Sequence, residues 1–480
     1  MQKIVLPLIL LIVLLLYIPT LSVYFSHDDF FHFKASQTDG TLGGFINLLG
    51  FHSLAERGYA FFRPIFREAL FNVSYLLFGL NSLPLRILSL VIHLINIVLV
   101  YKLIDILFKS KKLALFTSFF FGISAANVGS LFYLAGGIQS LGATIFILLT
   151  IILFLNRKFL TSFFMFILAL GSHELSIVTP AILFSVSLVK NIPVRMSLPF
   201  FVPAVALVFI EIFFIGFSSG ETQYQITFSP KAMLNSFVWY SAWAFGFPEM
   251  FIDFIGPKFV INPNLMKFWG EYASGIFFFG AVASIILFLD LLLAIRSGML
   301  KDKKFWFFVF WFLMALSPVV LLPLHKSTYY LNPALGAFWG LIFLIVLHSY
   351  GWLKKRNVKI AGFLFGAFMV TAIALSWVSV SLAKVTYPAV NRGRIAKKLI
   401  EDTQAQYPQF PKGAVIYFKN DPTYPKISGD WGGSSKQAEF ALNGSDALQL
   451  VYKDPTLRVM YEDLDNLVPS GAYSLVAKIN

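Results

Sequence analysis

Apolar runs of membrane-crossing length, separated by short polar breaks, set the pattern of most of this chain. After Met1-Gln2-Lys3 the side chains stay apolar from Ile4 to about Phe25, and the lack of a small-x-small cleavage site predicts a retained first helix. Ten further runs lie near 83–108, 113–132, 139–155, 159–171, 175–189, 197–217, 274–295, 305–323, 332–349 and 360–380. The runs at 159–171 and 175–189 are short for a crossing and read equally well as a tilted or re-entrant hairpin. Met233 to Ile255 is apolar and aromatic enough to dip into the membrane, so the expectation is about 11 to 13 helices.

Beyond about residue 382 the pattern changes. Polar turns at Asn420-Asp421-Pro422, Ser428-Gly429-Asp430 and Trp431-Gly432-Gly433 separate short β-rich runs. The runs 414–418, 457–461 and 473–479 are expected as strands, and 434–452 as a helix. The expected architecture is an all-α polytopic membrane domain over 1–382, including a long loop at 26–82, followed by a small soluble α/β domain over 383–480.

Composition excludes an ordinary soluble globule, because only 13% of residues are charged, 58% are hydrophobic, and the mean hydropathy is +0.75. With no cysteine, disulfides and thiolate chemistry are out. The net charge of +14 is expected first from cytoplasmic Lys and Arg anchoring the loops and only second from nucleic acid, and its distribution follows the first. Lys109, Lys111 and Lys112; Arg157 and Lys158; Lys190 and Arg195; Arg296, Lys301, Lys303 and Lys304; and Lys354, Lys355, Arg356 and Lys359 all fall in every second loop, beside Lys3. The N-terminus is therefore expected in the cytoplasm, and an odd number of crossings puts 383–480 outside. The same parity gathers 26–82, 171–174, 218–272 and 324–332 on the external face. Membrane lipid is an expected partner and nucleic acid is not.

The candidate chemistry sits on that face. Ser26-His27-Asp28-Asp29-Phe30-Phe31-His32 places two adjacent carboxylates and two imidazoles directly after the first helix. The plain reading is a solvated helix end, but two further loops bring reactive groups to the same level. Gly171-Ser172-His173-Glu174 is wedged between two apolar segments, where an ionisable group is by default a functional hypothesis. Leu324-His325-Lys326-Ser327-Thr328-Tyr329-Tyr330 adds a cation and hydroxyl donors. A carboxylate can act as base while Lys or His steadies a phosphate, so Asp28, Asp29 and Glu174 are the catalytic candidates. The substrate-binding candidates are His27, His32, Arg63, His173, His325, Lys326 and Tyr329. Arg63 precedes Pro64 in an aromatic setting, which suits either a phosphate ligand or an interfacial helix with solvated arginines. Asp28, Asp29, His173 and His325 offer oxygen and nitrogen ligands that zinc or manganese accepts, although their spacing matches no compact ligand motif. A divalent metal is the one cofactor these groups suggest. His93 and Asn96, inside an apolar span, read as interhelical hydrogen-bonding groups.

These motifs resemble the GT-C glycosyltransferases that use polyprenyl-phosphate sugars, in particular the protein O-mannosyltransferase-like and aminoarabinose-transferase-like branch. The resemblance covers about the first 380 residues in layout and only short motifs in detail. His27-Asp28-Asp29 occupies the place of the family's acidic pair. Phe62-Arg63-Pro64-Ile65, then Phe78-Gly79-Leu80 and Leu90-Val91-Ile92-His93-Leu94-Ile95-Asn96, are similar to its Arg-Pro, Phe-Gly and His-Leu-Leu-Asn runs. Ser172-His173-Glu174 resembles its Ser-Lys-Glu turn, with His in place of Lys. Tyr329-Tyr330-Leu331-Asn332-Pro333-Ala334-Leu335-Gly336 resembles its Arg-Tyr-Leu-x-Pro-x-x-Gly stretch, without the Arg. That departure leaves no planar guanidinium fork in the usual place and makes Lys326 the expected substitute.

The resemblance implies an integral membrane glycosyltransferase that transfers a sugar from a polyprenyl-phosphate donor to an extracytoplasmic protein, lipid or glycan, and the lack of cysteine and of a eukaryotic sorting motif makes a bacterial cytoplasmic membrane the expected location. Asp28 or Asp29 would be the base, Glu174 with His173 would orient acceptor or base, and Lys326, His325 and Arg63 would hold the phosphate. Two other classes compete. A transporter or flippase for a lipid-linked or envelope substrate would show charged residues at the middle of several helices and inverted repeats. A scaffold would tolerate substitution of Asp28 or Glu174.

Overall fold

The computed structural model describes residues 2–216, 222–425, 432–465 and 467–479. The expected turn residues Ser428, Gly429, Asp430 and Trp431 lie outside them.

The first apolar run forms α1 (Gln2–Tyr17), which tightens into a 3₁₀ turn at Ile18–Ser22. The segment 26–82 is largely helical: α2 (Asp28–Ala35), α3 (Leu42–Leu48), α4 (Leu54–Arg57), a π-helical turn at Pro64–Ala69, and α5 (Leu70–Phe78). Ser53 and Glu56 form a reciprocal capping box at α4, and Gly58 closes it with a φ of 75°. α6 (Leu83–Phe108) coincides with its predicted run.

The run predicted at 113–132 is two helices rather than one, α7 (Lys111–Ile123) and α8 (Asn127–Phe132). The cause is a side-chain cap. Asn127 Nδ2 donates to the carbonyls of Phe121 at 2.7 Å and Gly122 at 3.2 Å, which satisfies the end of α7 and turns the chain. There follow α9 (Leu134–Leu155), α10 (Phe159–Leu170), α11 (Thr179–Lys190), α12 (Leu198–Ile210), α13 (Pro230–Phe245), α14 (Pro263–Arg296), α15 (Lys303–Leu316), α16 (Asn332–Lys354), α17 (Val358–Thr386) and α18 (Pro388–Gln406). α13 is the helix within the aromatic stretch at 233–255.

Seven of the described helical segments are long and apolar enough to cross a membrane, and the chain is an integral membrane protein. The other four predicted spans appear as shorter helices, α7, α10, α11 and α15, of 13, 12, 12 and 14 residues. Burial sorts the long segments into centre and rim. The segments holding α16 and α9 are 89% and 72% buried over their apolar windows, whereas those holding α1, α12, α14 and α17 are 22–28% buried. Apolar side chains at the rim, such as Phe213, Phe278 and Phe363, are exposed, as lipid-facing positions should be. Close packing places the loops on this core. The Phe66 ring lies where a Cβ at Gly142 would stand, so a bare glycine in α9 lets the π-helical turn press onto the central helix.

The C-terminal part is a small α/β domain. Three parallel strands, β1 (Val415–Asn420), β2 (Arg458–Tyr461) and β3 (Tyr473–Ala477), lie in the order β2-β1-β3. The helix predicted at 434–452 is broken into α19 (Ser434–Leu442) and α20 (Asp446–Tyr452). Asn443 and Gly444, with φ of 54° and 60°, turn the chain between them. The domain is seated on α2: the His27 amide donates to the Ala441 carbonyl at 3.0 Å, and Lys34 donates to Gln449.

Candidate active site

The two adjacent carboxylates have opposite surroundings. Asp29 is fully buried, and its oxygens accept the backbone amides of Ser26 at 3.0 Å and of Ala135, at the start of α9, at 2.8 Å. Burial pushes its carboxyl up to about 6, against the opposing charge of Arg86. Arg86 is itself buried and gives its donors to the carbonyls of Val23, Tyr24, Leu131 and Phe132 at 3.0–3.2 Å. Asp29 and Arg86 thus lace the first helix to α8 and α9. The Asp28 side chain, by contrast, is 41% exposed. Its Oδ2 accepts the Tyr133 hydroxyl, and its Oδ1 lies 3.5 Å from His27 Nε2. His27 has a φ of 47° and a ψ of −118°, a conformation costly for any residue with a Cβ, and such strain gathers at functional sites.

A second group joins the loops at 61–69 and 171–178. The Ile65 amide donates to the Gly171 carbonyl at 3.1 Å, which brings Arg63 opposite Glu174. Arg63 donates to both carboxylate oxygens of Glu174, at 2.8 and 2.5 Å, and its remaining arm reaches Gln139 Oε1 at 2.8 Å. Burial raises the Glu174 carboxyl, but the Arg63 charge and hydrogen bonds outweigh it and hold the group well below the usual carboxylate range. Neighbouring His173 is buried and drawn down to about 3, chiefly by burial, so it is neutral. Its Nδ1 accepts the Leu175 amide at 3.3 Å, which makes its 3.3 Å approach to Glu174 a contact rather than an ion pair. His32 is also held well below its ordinary value by burial, then by Arg67 and Arg63. It faces Gln139 Nε2 at 3.4 Å.

A third wall is aromatic. The Tyr329 ring lies 5.8 Å from Tyr133 and 4.3 Å from Tyr330, and Tyr330 stands edge-on to His173 at 5.9 Å. The Tyr329 hydroxyl meets His325 Nε2 at 3.3 Å. A continuous series of contacts therefore runs from Asp28 through Tyr133, Tyr329, Tyr330 and His173 to Glu174 and Arg63. Lys326, next to His325 in the chain, donates from its ammonium to the Pro323 carbonyl at 2.7 Å. Asp28, Asp29, His173 and His325 do not converge, and among the described residues no group of three or more His, Asp or Glu is placed to hold a metal.

Sequence reasoning passed over Tyr133, Gln139 and Arg86, although Gln139 and Arg86 are polar interruptions of apolar runs, the signal by which such residues announce themselves. It also missed Glu249, half-buried and with its carboxyl raised by desolvation, which accepts from the Ser327 hydroxyl at 3.0 Å, the Thr328 amide at 3.1 Å and the Thr328 hydroxyl. That carboxylate pins the loop carrying His325 and Tyr329.

No family model matches this chain, and no curated protein does. Among solved structures, the apo oligosaccharyltransferase of Archaeoglobus fulgidus is similar, with a TM-score of 0.45 and 14% identity over 92% of this chain and 68% of that one. At that score and identity the likeness decides neither the reaction nor its residues.

Proposed function

We propose that this protein is a membrane glycosyltransferase that moves a sugar from a polyprenyl-phosphate donor to an extracytoplasmic acceptor, with Asp28 as the base. The observation that carries the reading is the division of labour in the acidic pair. Asp29 is consumed by two backbone amides, while Asp28 is partly open, oriented by Tyr133 and flanked by His27. A base must be reachable by the proton it takes, and of the two only Asp28 is.

In this reading the acceptor hydroxyl gives its proton to Asp28 as its oxygen attacks the anomeric carbon. The bond from that carbon to the phosphate oxygen breaks, and polyprenyl phosphate departs with the electron pair. Arg63, Glu174 and Gln139 act as a positioning network that fixes the 61–69 turn, and Tyr329, Tyr330 and His325 line the cleft. The N-terminus is cytoplasmic and the α/β domain extracytoplasmic, as the distribution of basic loops favours.

The test is release of polyprenyl phosphate from radiolabelled polyprenyl-phosphate monosaccharides by the chain in nanodiscs, with and without chelator. Asp28→Asn is expected to abolish release, and Asp29→Asn to reduce it together with thermal stability. Full turnover in Asp28→Asn would remove the proposed base.

A further inference from the structure

Resting on that reading, we propose that Arg392, on the helix that leads out of the membrane, is the cation that binds the phosphate of the lipid-linked donor. Most of the neighbouring cations already have acceptors. Arg63 is committed to Glu174 and Gln139, and Arg86 to four backbone carbonyls. Arg67 is committed to the carbonyls of Ala60 and Phe61 and to Glu68, and Arg57 to those of Leu48 and Asn47, while Lys326 places one of its three donors on Pro323 and offers no planar fork. Arg392 is half-buried, and among the described residues it makes no hydrogen bond. Its guanidinium lies over the Phe440 ring, 5.4 Å from the centroid. Five N–H donors in a fork are thus held without an acceptor, the arrangement that suits a phosphate.

Placement ties this cation to the acidic pair. The same Phe440 ring stands edge-on to His27 at 6.0 Å, and His27 lies against Asp28. α18 approaches the first loop closely because position 393 is glycine. A Cβ there would lie 2.6 Å from the Tyr24 carbonyl oxygen, four residues before Asp28. The charged and polar groups that face Arg392 are Asp28, Tyr133, Tyr387 and Glu439. Asp28 and Glu439 attract the guanidinium by charge, and among the described residues neither accepts a hydrogen bond from it. A phosphate there would sit beside the base, where the leaving group of the proposed transfer must be.

The test uses the full chain in phosphatidylcholine nanodiscs, with farnesyl phosphate as the probe and farnesol as the probe lacking phosphate. The wild type is expected to bind farnesyl phosphate. Arg392→Met should weaken that binding by about tenfold or more and Arg392→Lys by less, with farnesol unaffected, since charge-assisted bonds to phosphate carry roughly this much. Inorganic phosphate should displace farnesyl phosphate from the wild type. Matching melting temperatures and the partial rescue by lysine separate loss of the ligand group from misfolding. Equal binding by wild type and Arg392→Met would overturn the assignment, while loss of turnover in Asp28→Asn left the transferase reading standing. Displacement of the probe by phosphatidylglycerol nanodiscs would assign Arg392 to bulk anionic lipid and overturn it too. Failure of the wild type to bind farnesyl phosphate would overturn both.

Discussion

Arg63 and Glu174, 111 residues apart, meet in a two-pronged ion pair at 2.8 and 2.5 Å whose side chains are only 12% and 18% exposed. The pair clamps the π-helical turn against the 171–178 turn, and Gln139 takes the remaining arginine donor. Removing one partner leaves the other charge largely buried and unpaired. Arg63→Met or Glu174→Leu alone should therefore cost about 3–5 kcal/mol, and the double replacement less than the sum of the two. Reversible denaturation of the four proteins in mixed micelles measures the coupling. Additive losses would show that the pair does not act as a clamp.

Asp29 should make stability depend on pH. Its carboxyl is raised from 3.8 to about 6 by burial, so the folded state binds a proton more readily than the unfolded chain. The contribution is fully present below about pH 4 and is lost as pH rises through about 6. The protein should melt at a higher temperature at pH 4 than at pH 7 as far as this group is concerned. Asp29→Asn, which does not titrate, should flatten that part of the profile. The comparison is of the difference in melting temperature between wild type and variant across this window, because other carboxyl groups titrate in both. A constant difference would refute the assignment.

Spans were legible because length and apolarity alone define them, and α6 ends where its hydropathy does. The break at Ser124–Ala126 was not, because the run stays apolar and the turn depends on Asn127 reaching back to the end of α7. The break at Asn443-Gly444 was signalled by a turn dipeptide that a helical reading of 434–452 overrode. At the site, adjacency along the chain revealed the acidic pair but could not tell Asp28 from Asp29. That difference comes from Ser26 and Ala135, one of them 106 residues away. Lys326 is the cation that adjacency along the chain offers, and the fold places one of its three ammonium donors on the Pro323 carbonyl. Arg392 lies beyond the membrane segments in sequence, and the close contact of Gly393 with Tyr24 brings its helix back to the first loop.

Tyr133 gives a way to separate the base from the scaffold around it. Its hydroxyl donates to Asp28, and its ring lies against Tyr329, so Tyr133→Phe removes the hydrogen bond and keeps the packing. The ring's place at the start of α9 should be unchanged, and the melting temperature should move little. A hydrogen bond to a charged acceptor is worth about 1.5–3 kcal/mol, but Asp28 is partly exposed and water can replace the lost donor. The expected consequence is a fall of about tenfold in the rate of polyprenyl-phosphate release at saturating donor, with donor affinity unchanged, because the hydroxyl orients the base and does not touch the phosphate. Weaker donor binding with an unchanged rate would move Tyr133 from the acceptor side of the cleft to the donor side, and with it the place of Asp28 in the reaction.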